Sequence, residues 1–342
     1  MNYQVAWDSE YYLSIANVGY SDPAVYSCTV NDNQVLSNNN AFMPLYPYLI
    51  RLVAYPLQTL RLSPIATATL AGVIISTLGA LGGAIALYSL AYNQLGEQGA
   101  LRSAFYLLIF PTGLFLAQVY TEGLFVGLAF GSLAFLAHKK VAPAALLAML
   151  AILTRAVGLA LTIPIALYAL QRLISEKRFT REVLMNFLWV FACGTVYLAW
   201  SSSAWGQAFR LVQETCFSRY SFNISQSITG WRYAWRDSMR GYPQMTAYYM
   251  LEFGGIAIGL VACLFMLRSY PYETIFSMAV ILISLLSGVP RGMHRYILTA
   301  PVVFLFLGKL GKNDAFDRVW TILSILLLGV LSILFAANFW VG

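Results

Sequence analysis

The residues able to do chemistry in this chain gather in three short stretches. The first runs Trp7-Asp8-Ser9-Glu10-Tyr11-Tyr12 through Gly19-Tyr20 and is followed downstream by Phe42-Met43-Pro44-Leu45-Tyr46-Pro47. It sets Asp8 and Glu10 beside aromatic rings in a polar segment of an otherwise apolar chain, where a carboxylate can take a proton from a hydroxyl group. The second, Pro290-Arg291-Gly292-Met293-His294-Arg295-Tyr296, compresses two arginines and one of the chain's two histidines into a turn. Clustered guanidiniums form a cradle for phosphate, or else anchor the turn to lipid headgroups. His294 serves either as an acid or as a hydrogen-bonded spectator. The third set is Glu122, Arg155 and Glu252, which fall inside or at the edge of apolar runs. Ionisable groups there mark a functional site or pair with one another, so Glu122 and Arg155 either neutralise each other or reach a substrate.

The elements that must position these residues are membrane helices. Of 342 residues, 59% are hydrophobic and only 10% charged, with a mean hydropathy of +0.68. Soluble domains carry roughly a quarter charged residues, so the chain reads as a polytopic membrane protein. Apolar runs at 64–92, 103–121, 123–137, 141–154, 156–170, 183–204, 247–267, 274–290, 296–308 and 319–341 predict about eight to ten membrane segments, given that roughly 20 apolar residues cross a bilayer. Pro111, Pro143, Pro164 and Pro301 sit in or beside these runs and predict kinked or half-spanning helices.

The first forty residues lack both a basic start and an apolar core, so no cleavable signal peptide is expected. Asp8, Glu10, Asp22, Asp32 and the Asn-rich stretch 31–40 predict a folded, turn-rich polar loop instead. Residues 42–61, interrupted by Pro44, Pro47 and Pro56 and bounded by Arg51 and Arg61, suit an interfacial helix, with a short tilted span as the alternative. All five lysines, Lys139, Lys140, Lys177, Lys309 and Lys312, lie in short linkers, which the positive-inside rule assigns to the cytoplasm. The three chemistry-bearing stretches then fall on the extracytoplasmic side. So does a long loop at 203–247, which holds Arg210, Arg219, Arg232, Arg236 and Arg240, no lysine, and many aromatics. That mixture suits an anionic lipid-linked substrate or contact with anionic headgroups. Nucleic acid is not expected there despite a net charge of +7. The expected organisation is one membrane domain over 1–342: a catalytic loop and interfacial helix (1–61), a transmembrane bundle (62–202), the Arg/aromatic loop (203–247) and C-terminal helices (248–342).

No Asp-x-Asp, His-x-x-x-His or Cys-x-x-Cys motif occurs, nor a Gly-x-Ser-x-Gly elbow or a glycine-rich phosphate loop. No metal site and no cofactor are expected. Cys193 and Cys263 lie in apolar runs as packing residues, whereas Cys28 and Cys216 fall in polar loops and can pair if the compartment is oxidising. Asn223-Ile224-Ser225 is a glycosylation sequon that matters only in a eukaryotic secretory setting.

Together these stretches resemble the GPI mannosyltransferase 2 (PIG-V-like) family of integral-membrane glycosyltransferases. The resemblance rests on Trp7-Asp8, Tyr12-Leu13, Ile15-Ala16 and Gly19-Tyr20, then Phe42 and Pro44-Leu45-Tyr46-Pro47. It continues through Phe110-Pro111-Thr112-Gly113, Tyr120-Thr121-Glu122-Gly123-Leu124-Phe125, Leu153-Thr154-Arg155 with Gly158, and Arg295-Tyr296 ahead of Pro301. It implies an all-α polytopic bundle of GT-C type whose first extracytoplasmic loop carries the catalytic acid, with a polyprenyl-phosphate sugar as donor. Asp8 would be the general base of an inverting transfer, which needs one carboxylate rather than a hydrolase's pair. Trp7, Glu10, Tyr11, Tyr46, Tyr120, Glu122, Arg155, Arg291, His294 and Arg295 are expected to contact substrate. Mannose is inherited from the resemblance, and a glycolipid or other glycan is the expected acceptor. Met43 stands where the family often has an aromatic, and Tyr11 where some members have His. The family begins with a transmembrane helix, whereas only six residues precede Trp7 here, which marks the chain as a candidate for N-terminal truncation.

Readings from other classes are a lipid or solute transporter, which would show paired broken helices in two repeated halves not visible here, and an inactive scaffold that binds polyprenyl lipid. The compact linkers look bacterial, so the cytoplasmic membrane is the expected location, or the endoplasmic reticulum membrane in a eukaryote. No partner protein is implied.

Overall fold

The computed structural model describes residues 4–30 and 34–341. Asn31, Asp32 and Asn33, part of the expected Asn-rich turn, lie outside the described residues. The described chain forms fourteen α-helices and one two-stranded antiparallel hairpin. Five helical segments are long and apolar enough to cross a membrane: α3 (Pro64–Leu108), the segment Ala156–Glu176 that ends in α6 (Thr162–Glu176), α7 (Arg181–Ser202), α10 (Pro243–Met266) and α14 (Asp314–Ala336). Four shorter apolar helices pack among them: α4 (Thr121–Ala137), α5 (Val141–Thr154), α11 (Pro271–Leu285) and α13 (Pro301–Leu310). The protein is a multi-pass membrane bundle.

The runs at 64–92 and 103–121 meet in α3, where Gly96, with φ 69° and ψ 179°, breaks the segment into two helices, the second ending at Leu108. Two expectations need correction. The polar start is not a turn-rich loop throughout. Asp8 opens a helix, α1 (Asp8–Asn17), which leads into strands β1 (Ser27–Val30) and β2 (Gln34–Ser37). The 203–247 segment is mostly helical, folding into α8 (Ala204–Cys216) and α9 (Ile224–Ser238). Side-chain caps start both helices: Ser203 accepts from the Gly206 N–H at 3.1 Å and Asn223 from the Gln226 N–H at 3.0 Å.

The N-terminal unit is held by polar contacts. Asn39, fully buried, donates to Ser14 Oγ and to the Gly19 carbonyl, while Ser14 donates to Asp22. Helix α2 (Leu45–Leu57) is 13 residues long, about 20 Å, against a hydrocarbon core of about 30 Å, so it cannot span unaided. Its Arg51 donates to the Ala16 and Ile15 carbonyls and so satisfies the C-terminal end of α1. Cys28 on β1 and Cys216 at the end of α8 form a disulfide, with Cα atoms 6.3 Å apart.

Candidate functional site

The site is assembled from helix ends. Asp8 lies in the first turn of α1 and Glu122 in the first turn of α4, where the unpaired N–H groups of a helix favour a carboxylate. Arg155 caps the C-terminal end of α5, and Arg295 lies in the short helix α12 (Met293–Leu298) between α11 and α13. Each of these ends brings one charge to the same place.

Glu122 is the hub. Its side chain is completely buried, and Oε1 accepts from Arg155 Nη1 at 2.6 Å and from Arg295 Nη2 and Nε at 2.8 and 3.0 Å. Arg295 then reaches Asp8, with both Nη atoms 3.3 Å from Oδ2. The phenyl ring of Phe115 and the phenol ring of Tyr120 flank the Arg295 guanidinium, with centroids 4.6 and 4.7 Å from Cζ. The Tyr120 hydroxyl donates to the Ala6 carbonyl and ties this stack to the chain just before Asp8. Asp8 itself is the open end of the array, its side chain 25% exposed against 0% for Glu122 and 9% for Arg295.

Of the two readings of Glu122 and Arg155, the structure shows the ion pair and adds a second guanidinium to it. Arg155 also lies over the Tyr296 ring, with Cζ 4.8 Å from the centroid, and its Nη1 is 3.3 Å from Thr121 Oγ1. The Tyr12 phenol lies 3.5 Å from the same Thr121 oxygen. Burial pushes the Tyr12 phenol up, with the charges of Asp8 and Glu122 adding to the shift, so it stays protonated.

The other expected site residues divide into two groups. Trp7 and Tyr11 stay at the rim: Trp7 meets the Trp340 ring edge-on at 5.0 Å, and Tyr11 stacks on Phe42 at 4.8 Å. Glu10 and Arg291 are exposed, and neither forms an ion pair among the described residues. Tyr46 is fully buried, its hydroxyl bonded to Ser76 Oγ at 2.8 Å and the Gly72 carbonyl at 3.1 Å. His294 is internally engaged, with Nδ1 3.0 Å from Glu252 Oε2 and Nε2 2.8 Å from the Val341 carbonyl. Glu252 also accepts from the N–H groups of Gly292 and His294. Gly292 adopts a φ of 81° there, a conformation that costs glycine little, and this aims its N–H at the carboxylate. Glu252 therefore holds the α12 turn that presents Arg295.

Sequence reasoning assigned no role to Phe115, Thr121 and Tyr296. Tyr296 had a signal, since it is the immediate neighbour of Arg295, whereas Phe115 looks like any other apolar run residue.

The sequence profile of the mannosyltransferase (PIG-V) family matches residues 1–231. No curated protein matches the chain. Among solved structures, ArnT from Cupriavidus metallidurans bound to undecaprenyl phosphate is similar with a TM-score of 0.54 and 13% identity, over 97% of this chain and 67% of that one. The apo form of ArnT is similar with a TM-score of 0.52 and 13% identity, over 93% of this chain and 57% of that one. The shared architecture is the GT-C fold.

Proposed function

Because the chain belongs to the mannosyltransferase (PIG-V) family and is a glycosyltransferase, we propose that it moves a hexose, mannose by family, from a polyprenyl-phosphate sugar to a glycolipid or other glycan acceptor. Asp8 acts as general base: it takes the acceptor's hydroxyl proton while the acceptor oxygen attacks the sugar's C1 from the face opposite the departing phosphate, giving inversion. The observation that carries this reading is that Asp8 is the partly open carboxylate at the end of a buried Arg–Glu–Arg array. One guanidinium contact orients its carboxylate, and the exposed portion leaves room for a hydroxyl. Glu122 Oε2 is buried with no hydrogen-bond partner among the described residues, an acceptor that a substrate hydroxyl or water can fill. No metal enters this reading, because guanidinium groups supply the positive charge that a departing phosphate needs.

The sidedness of the site is also part of the proposal. Glu122 opens α4, and the helix ends just before Lys139 and Lys140; α5 starts there and returns to deliver Arg155. Helix α6 runs on to Lys177, and α13, which follows Arg295, reaches Lys309 in its last turn with Lys312 just beyond. The lysines therefore sit at the ends of the helices opposite the site. With lysines retained in the cytoplasm, the site faces outward, across the cytoplasmic membrane of a bacterium.

The test is transfer of radiolabelled mannose from polyprenyl-phosphate mannose into lipid in vesicles carrying the wild type or Asp8→Asn. Asp8→Asn should fold normally and lose roughly 100-fold or more of the rate, the usual contribution of a positioned general base. An Asp8→Asn enzyme with the wild-type rate overturns the assignment.

A further inference from the structure

The chain of charges does not end at Arg155. Arg219 Nη1 donates to the Tyr296 hydroxyl at 2.6 Å, and its Cζ lies 5.8 Å from the ring centroid. Arg219 comes from the link between α8 and α9, and among the described residues it meets no carboxylate at ion-pair distance. The connected cluster thus holds three guanidiniums, of Arg155, Arg219 and Arg295, against two carboxylates, of Asp8 and Glu122. An uncompensated cation in a half-buried site calls for an anion, and the Tyr296 hydroxyl, accepting from Arg219, keeps its own proton free to donate.

The link is held in place on three sides. Cys216, three positions before Arg219, is tied to Cys28 of the N-terminal hairpin by the disulfide. The Arg219 N–H donates to the Gln213 carbonyl at 2.8 Å, and the Tyr220 and Asn223 N–H groups donate to the Ser287 and Leu286 carbonyls at 2.8 and 3.0 Å. Gln213 in turn donates through its side chain to the Ala41 carbonyl at 2.7 Å. A surface arginine that only greets lipid headgroups needs no such anchoring.

We propose that Arg219 and Tyr296, backed by Arg155, form the subsite that holds the phosphate of the lipid-linked donor, at the opposite end of the charge array from Asp8. This assignment rests on the transfer reading above. A polyprenyl-phosphate sugar is a phosphodiester with one negative charge, which the single excess guanidinium balances. As the C1–O bond breaks, its electron pair passes to the phosphate oxygen while the acceptor's proton goes to Asp8. The phosphate then gains a second charge, and Arg219 and the Tyr296 hydroxyl stabilise it as it develops. The exposed Arg291, the more obvious candidate from sequence, takes no part in this subsite.

The test is direct binding of two probes, undecaprenyl phosphate and undecaprenol, to the full-length protein in nanodiscs of neutral lipid. Wild type should prefer the phosphate. Arg219→Gln should weaken phosphate binding about ten- to hundredfold, the worth of a charge-assisted hydrogen bond, and leave undecaprenol binding unchanged. Arg219→Lys should recover part of the loss, Tyr296→Phe should show a smaller loss, and Arg291→Gln should show none. Equal preference for the two probes in wild type, or wild-type phosphate binding in both Arg219→Gln and Tyr296→Phe, overturns the subsite. An equal loss in Arg291→Gln does so too, because it signals diffuse attraction. Since binding is read without turnover, a failure of the Asp8 experiment leaves this result standing, and the converse holds as well.

Discussion

Replacing Glu122 by Gln keeps the shape of the hub and removes its charge, leaving the buried Arg155 and Arg295 guanidiniums together with only the Asp8 carboxylate, at the end of the array, to offset their repulsion. Removing one member of a buried ion cluster typically costs about 3–5 kcal/mol, because the partners keep their desolvation penalty without compensation. Glu122→Gln should therefore lower the thermal unfolding midpoint in detergent as well as abolish transfer, unlike Asp8→Asn, which should spare the midpoint. An unchanged midpoint would mean that water or lipid anions replace the carboxylate. At this scale the sequence was legible for Asp8, Glu122, Arg155 and Arg295, since charge is rare in this chain and each instance needs a reason. It singled out Glu252 but named no partner for it, since His294 lies 42 residues away, and it placed Tyr46 and His294 at the substrate although their polar atoms are engaged inside the fold. Residue type alone cannot say whether a buried polar group faces a ligand or the protein's own backbone.

The helices that carry these charges are brought close by small residues. Gly79 and Gly83 on α3 face Gly123 and Gly127 on α4: a Cβ on Gly123 would lie 2.2 Å from the Ser76 carbonyl oxygen, and one on Gly79 2.6 Å from that of Gly123. Both pairs have the four-residue spacing that lets membrane helices approach backbone to backbone. Gly123 also adjoins Glu122, so widening this contact moves the hub. Gly123→Ala should cost about 1–3 kcal/mol of stability through overpacking and displace Glu122, seen as a lower yield of folded protein in detergent and reduced transfer. Normal yield and rate would show that the two helices can part without consequence. Apolar runs announced most helices, because a bilayer demands them. The gap they left between 92 and 103 is where Gly96 breaks α3 into two helices. Helices α8 and α9 escaped notice for a different reason: their arginines and aromatics obscure the apolar pattern, although Ser203 and Asn223 stand where caps belong.

At the scale of the whole molecule, the arrangement of lysines at one end and the charge array at the other makes a prediction about the membrane. Ser21→Cys, on an exposed turn of the N-terminal unit, should react with a membrane-impermeant thiol reagent in intact cells, while Lys177→Cys should react only after the membrane is opened. The reverse pattern would turn the site toward the cytoplasm and remove the outward-facing reading. The bundle also closes on itself at this end: Phe335 on α14 packs at 5.8 Å against both Phe115 and Tyr120, the rings that flank Arg295.

Asp8 and Arg295 stand 287 residues apart in the chain. At ribosomal speeds of about 5–20 residues per second, roughly 15–60 s pass between the emergence of one and of the other. During that interval the first helix is already made while the arginine that orients its carboxylate is still unmade. A message cut short anywhere upstream of Arg295 therefore yields a fragment in which Asp8 lacks this partner. The charge array is complete only late in translation, when nearly all of the bundle that encloses it has been made.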